Sequence, residues 1–148
     1  MQQFPVPAFF DDPATKRAFW RERSTRRLLD LQARLDVAIF GVGSPFAEVP
    51  SHVYQGGYLE RSDYEALSRE GVVGDVATVF YRTDGTSEGI ALNDRATGPD
   101  FAILRRAPRR ICVVSGRAKL PSLRGALAAG LITDLIVDEG TARALVEP

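Results

Sequence analysis

Three short segments of the chain combine residue types suited to holding an anion. They are Gly41-Val42-Gly43-Ser44, Ser115-Gly116 followed by Lys119, and Asp138-Glu139-Gly140-Thr141. Each stands directly after an apolar run and enters a loop or a helix. Glycines let the backbone come close to a ligand, and free N–H groups at the start of a helix attract phosphate. Such turns also need glycine for conformational reasons alone, so the signal lies in the convergence of all three. Lys119 lies just ahead of Pro121, where the helix dipole already disfavours a cation unless an anion is bound nearby. It reads as a ligand lysine or as a plain surface lysine. Arg95, in the Gly/Pro-punctuated stretch Leu92–Pro99, could fold over the site and hold a phosphate or vicinal hydroxyls with its planar fork, or remain a solvated loop residue. Asp138 and Glu139 could accept hydrogen bonds from sugar hydroxyls, or simply stabilise a helix N-terminus. Asp75, beside Gly74 in a strand-like run, either points into the site or pins a bulge. His52 could act as a general base, although no Ser or Cys nucleophile signature accompanies it.

The elements that position these residues can be read from periodicity. Asp36–Phe40, Val72–Tyr81, Ile111–Val114 and Leu135–Val137 are apolar or β-branched runs and read as strands. Asp12-Pro13 has the pattern of an N-cap with proline in the first turn, so a helix should follow. That helix carries Lys16, Arg17, Arg21, Arg23, Arg26 and Arg27, with Leu28, Leu31 and Leu35 as its buried stripe and a break at Ser24-Thr25. The basic residues are the best local candidate for a nucleic-acid face, but their interleaving with the stripe favours a solvated outer face. Capping-box spacing at Ser62–Glu65 starts another helix that ends near Gly71. Further helices are expected over Leu123–Ala129 and Ala142–Val146. Strands alternating with helices predict an α/β fold with a mostly parallel sheet flanked by helices. In such a sheet the strand carboxyl ends lie along one edge, and ligands bind in the crevice there.

Composition narrows the function classes. The 148 residues carry nineteen basic and nineteen acidic side chains, so the formal net charge is zero. A dedicated nucleic-acid-binding domain is usually clearly basic. One cysteine, Cys112, and one histidine, His52, cannot build an internal disulfide or a structural zinc site. The sequence calls for no cofactor and no metal. No apolar run approaches the ~18 residues of a membrane span. The first lysine is Lys16, so no signal-peptide order opens the chain, and the expected location is the cytoplasm.

Several of these segments, taken in order, resemble one known family. Asp36–Ser44 followed by Gly57-Tyr58-Leu59, then Gly71–Val76, Asn93–Gly98, Gly116–Lys119 and Leu131–Ala142 are similar to the effector-binding domain of SorC/DeoR sugar-binding transcriptional regulators. The resemblance implies a fold like that of glucosamine-6-phosphate deaminase and ribose-5-phosphate isomerase, without turnover. It implies a phosphorylated sugar as effector, a homo-oligomer, and DNA binding through a separate N-terminal helix-turn-helix. Residues 1–148 would form one sugar-binding unit, the C-terminal two-thirds of that domain, without its Gly/Thr-rich phosphate loop. Two segments depart from the family pattern. Ser115-Gly116 stands where Gly-Gly is usual, and Phe80-Tyr81-Arg82 where Phe-Phe-Asp is usual. The expected ligand set is Gly41, Gly43, Ser44, Arg95, Gly116, Lys119, Asp138 and Glu139. The alternative is a sugar-phosphate isomerase or deaminase using Asp75 or Glu139 with His52.

Overall fold

The structure is a computed structural model and describes residues 2–45, 47 and 51–147. The chain begins with an extended segment that bridges Phe9 to Ala96. Helix α1 (Pro13–Trp20) then starts where the sequence predicts, with the Asp12 carboxylate accepting the Ala14 N–H at 2.7 Å. The break before α2 (Arg23–Gln32) falls at Arg21-Glu22 and not at Ser24-Thr25. The Arg21 and Glu22 amides close onto the Ala18 and Phe19 carbonyls, which ends α1 with tightened i→i−3 bonds.

Three strands, β1 (Val37–Phe40), β4 (Arg109–Val114) and β5 (Asp134–Val137), form a parallel sheet in the order β1-β4-β5. The register aligns Ile39 with Ile111 and Val113 with Ile136. Between β1 and β4 the chain makes the short helix α3 (His52–Gln55), then α4 (Arg61–Arg69), then an antiparallel hairpin of β2 (Val72–Val76) and β3 (Val79–Arg82). A short 3-10 turn and α5 (Phe101–Leu104) lead into β4. Helix α6 (Leu120–Ala128) joins β4 to β5, and α7 (Glu139–Val146) follows β5. A parallel sheet with helical connections is thus as expected. Helix α4 begins two residues earlier than Ser62-Asp63 suggests, because its cap is Glu60, whose N–H donates to Asp63 at 3.0 Å.

The run Val72–Tyr81 is not one strand. It folds back at Ala77-Thr78, where φ is +48° and +73°. A two-residue hairpin turn of this twist needs both central residues at positive φ, usually Asn-Gly, so Ala-Thr carries no turn signal in the sequence. The neighbours hold the turn in place. The Thr78 N–H donates to Asp75 at 3.2 Å, and the Gly98 N–H donates to the Thr78 hydroxyl at 3.0 Å. Gly98 has no room for a side chain there, since a Cβ would sit 1.7 Å from the Ala77 carbonyl oxygen.

Two cores result. In the first, Ala38, Cys112 and Val114 project from one face of the parallel sheet onto Leu123 and Ala126 of α6, with Tyr81 and Leu131. Burial pushes the Cys112 thiol up to about 11, as for a packed core residue. In the second, Phe9 stacks on Phe80 at 5.7 Å between ring centroids, and Tyr54, Leu67, Val72 and Leu92 close around them.

One expectation fails. The stripe Leu28, Leu31 and Leu35 is not buried: Leu31 and Leu35 are exposed, and only Thr25 of α2 is fully packed. Ile39, Val113 and Ile136, on the sheet face turned away from α6, are exposed as well. Stripe and face lack a covering layer among the described residues.

Candidate functional site

Beyond β1 the backbone of Gly43 pairs with Asp75 of β2. Gly43 N–H donates to the Asp75 carbonyl at 2.8 Å, and Asp75 N–H returns to Gly43 O at 3.3 Å. This approach excludes a side chain, because a Cβ on Gly43 would lie 1.7 Å from Asp75 Oδ1. The glycine that the sequence marks as a phosphate approach therefore serves first to admit an aspartate. From the other side, Ser122 in the first turn of α6 donates to the Gly43 carbonyl. Tyr81 donates in turn to the Ser122 carbonyl at 2.9 Å. Loop, hairpin and helix are thereby locked at one point.

Asp75 is 4% exposed. Its Oδ1 accepts the Tyr54 hydroxyl at 2.8 Å. Burial raises its carboxyl above the ordinary carboxylate range, and the Tyr54 hydroxyl, the Thr78 N–H and the charge of Lys119 oppose that rise. Tyr54 is held from behind by the Tyr64 hydroxyl, which donates to its carbonyl. Lys119, half-buried at the N-cap of α6, donates through Nζ to the Ser51 hydroxyl. The same hydroxyl oxygen accepts the Ser44 N–H at 3.0 Å. Desolvation lowers the Lys119 ammonium below its usual value, with the Asp75 charge acting the other way. Lys119, Ser51, Ser44, Gly43, Asp75 and Tyr54 thus form one connected cluster at the carboxyl end of β1.

The other expected residues are placed differently. Gly116 and Asp138 do meet, but they satisfy each other: Gly116 N–H donates to Asp138 Oδ2 at 3.0 Å and to the Thr141 hydroxyl at 2.9 Å. Asp138 also accepts the Thr141 N–H and hydroxyl at 2.9 and 2.6 Å, capping α7. These hydrogen bonds, those from Thr141 foremost, hold its carboxyl well below the usual range. Glu139 pairs with Arg143 one turn on at 2.6 Å, on the exposed side of α7. Arg95 does not fold over the cluster. Its Nε donates to the Phe10 carbonyl at 2.8 Å and its guanidinium pairs with Asp63 at 2.9 Å, which clasps α4 to the N-terminal segment. Gly41 keeps its place beside β4, where a Cβ would meet the Val113 carbonyl at an ordinary 3.4 Å. His52 is exposed and lies against Tyr58, with ring centroids 6.3 Å apart. No hydrogen bond joins it to Asp75 or Glu139 among the described residues. Sequence reasoning passed over Ser51, Tyr54 and Ser122. Asp75 was the available signal, since a carboxylate inside an otherwise apolar strand must find partners.

The cluster invites comparison with known proteins. Residues 1–147 match the family model described as "Putative sugar-binding domain". The chain belongs to this sugar-binding domain family of SorC/DeoR-type transcriptional regulators. It is 33% identical over 142 residues to the deoxyribonucleoside regulator of Bacillus subtilis, covering 96% of this chain and 44% of that protein. A solved domain of a "possible sugar-binding transcriptional regulator" from Arthrobacter aurescens superimposes with a TM-score of 0.90 at 60% identity. The match covers 99% of this chain and 55% of the Arthrobacter chain. The full-length sorbitol operon regulator of Klebsiella pneumoniae gives a TM-score of 0.87 at 25% identity, over 97% of this chain and 46% of its own. The chain therefore spans about half the length of the family members it matches. Among the described residues no helix is long and apolar enough to cross a membrane, and no group of side chains could hold a metal ion.

The buried Asp75 of this sugar-binding domain sets a pH dependence. A carboxyl whose folded-state value is raised binds its proton more tightly in the folded chain. The stability it contributes is fully present below the ordinary 3.8 and is lost as pH rises through the folded-state value. Asp75→Asn, which keeps an oxygen acceptor for Tyr54, is expected to remove that loss. Urea unfolding of parent and variant from roughly pH 3 to pH 8 should show the variant gaining relative stability as pH rises. Parallel curves across the range would refute this account of Asp75.

Proposed function

We propose that the chain is the effector-sensing part of a cytoplasmic transcriptional regulator and binds a phosphorylated sugar without turning it over. The observation that carries this reading is the placement of Lys119. Its ammonium is drawn into partial burial at the start of α6, beside the Ser51 hydroxyl and within the field of Asp75. A lysine held there provides a point charge for phosphate, and the hydroxyls of Ser44 and Ser51 supply neutral partners for phosphate or sugar oxygens. In this proposal Gly41, Ser44 and Lys119 line the ligand, while Gly43 and Gly116, whose N–H groups are bonded to Asp75 and Asp138, shape the backbone around it. Asp75 and Tyr54 position Lys119 and the loop after β1. Arg95, Asp138 and Glu139 leave the set because their polar atoms are engaged elsewhere.

Two observations support binding over catalysis. The relatives are named as regulators, and Asp75 and Glu139, the acids an isomerase or deaminase would pair with His52, are bonded to Tyr54 and Arg143. Residues 1–148 act in this reading as one sensing unit of a homo-oligomer, and DNA contact belongs to a separate N-terminal domain. Titration calorimetry with phosphorylated pentoses and hexoses and their unphosphorylated counterparts tests it. Binding confined to one or a few phosphorylated members is expected. Heat from none of them, or equal affinity for the free sugars, would overturn the proposal.

A further inference from the structure

The arginines of the first two helices have no part in the cluster around Lys119. Arg21, which caps α1, and Arg23, Arg26 and Arg27 of α2 are all exposed. With Glu22 and Asp30 they line one shallow depression of about 550 Å³. The Leu28, Leu31 and Leu35 stripe borders a different depression beside Phe4, so the arginines occupy their own side of the helix. None of the four guanidinium groups takes part in an ion pair among the described residues. Even Arg26, with Glu22 one turn before it and Asp30 one turn after, pairs with neither. Arg23 and Arg27 stand at i and i+4, a like-charge pair that an isolated helix disfavours.

Charge is segregated along the chain. Residues 13–34 carry seven basic and two acidic side chains, whereas the remainder carries twelve basic and seventeen acidic. The formal net charge of zero therefore conceals a cationic patch on an anionic body. Six of those seven basic residues are arginine, whose planar fork meets a phosphate through two parallel N–H donors. Helical rise places Arg23, Arg26 and Arg27 within about 6 Å along the axis, a span that covers neighbouring phosphates of one DNA strand. A second copy of the chain would bring carboxylates instead. Several of these are already engaged: Asp63, Glu65, Asp134 and Glu139 are each paired with another arginine, and Asp75 is buried. The family is one of transcriptional regulators, and regulation of transcription takes place on duplex DNA.

We propose that the α1–α2 face binds the phosphodiester backbone of duplex DNA without reading its sequence. Base recognition stays with the separate N-terminal domain, and Arg21, Arg23, Arg26 and Arg27 add contacts to phosphates beside it. This inference does not depend on the sugar ligand, and its test contains no sugar, so the two proposals can fail separately.

The test titrates the 148-residue chain into a fluorescently labelled duplex of roughly 20 base pairs and follows anisotropy over a range of salt concentrations. Dissociation constants of roughly 10–100 μM are expected at low salt, alike for unrelated base sequences, with a slope of log affinity against log salt of about −3. The double variant Arg23→Gln, Arg27→Gln changes only exposed side chains without ion-pair partners. It should keep the melting curve of the parent, weaken binding at least about tenfold and reduce the slope to about −1. The double variant Arg61→Gln, Arg143→Gln removes the same charge from exposed positions on α4 and α7 and should bind as the parent does. Three results would overturn the proposal. The first is no anisotropy change at low salt. The second is equal weakening by the two double variants, which would trace binding to net charge alone. The third is salt-sensitive self-association in sedimentation velocity, lost with Arg23→Gln, Arg27→Gln while the duplex stays unbound, which would give this face to a second copy.

Discussion

Alanine at position 74 is expected to lower the melting temperature by roughly 6–12 °C, the equivalent of about 3 kcal/mol for a chain of this size. Gly74 sits in β2 where the register with β3 shifts. It is wedged between the loop after β1 and the start of α6. A Cβ there would lie 1.9 Å from Ser122 Oγ and 2.5 Å from the Gly43 carbonyl oxygen. The hydroxyl cannot rotate away without giving up its bond to that same carbonyl. The carbonyl is backbone, and its residue is paired to Asp75 on both sides. Relief therefore requires moving β2 away from the β1 loop, which opens the second core and breaks the cluster around Asp75. A thermal melt followed by circular dichroism measures the effect. An unchanged melt would mean that the three elements are not locked together at Gly43.

The second large effect concerns the ligand and leaves the fold in place. Lys119→Met keeps most of the apolar stem and removes the charge. If phosphate is held by this ammonium, affinity for the sugar phosphate should fall roughly 10- to 100-fold, the range of about 1.5–3 kcal/mol that a charged hydrogen bond contributes. The parent's loss of affinity with added salt should weaken in the variant. Lys119→Arg should retain part of the binding, because the charge remains while the geometry changes. Stability should change little: the Ser51 hydroxyl still accepts the Ser44 N–H, and Asp75 keeps its bonds from Tyr54 and Thr78. Calorimetry and a melt on the same samples separate the two readouts. Unchanged affinity would remove Lys119 from the site.

Much of the architecture could be read locally. The runs Asp36–Phe40 and Ile111–Val114, the Asp12-Pro13 helix start and the glycine after α6 are each specified by neighbours a few residues away. Such signals survive folding because the physics behind them is short-range: steric limits on φ, capping of free N–H groups and the period of a buried face. The hairpin turn at Ala77-Thr78 was not legible. Its two positive φ angles are imposed by Asp75 and Gly98 and have no preferred residue type behind them.

The sequence alone indicated an α/β chain with a mostly parallel sheet and, through its motifs, the sugar-binding domain family. Tertiary structure decided which polar group faces which. It gave Asp138 to Gly116 and Thr141, Glu139 to Arg143 and Arg95 to Asp63, and it gathered Ser51, Tyr54 and Asp75 around Lys119. Most of those partners lie tens of residues apart along the chain. A carboxylate or guanidinium looks alike in sequence whether it awaits a ligand or a neighbour. Only the packing that brings distant segments into contact determines which of the two it meets.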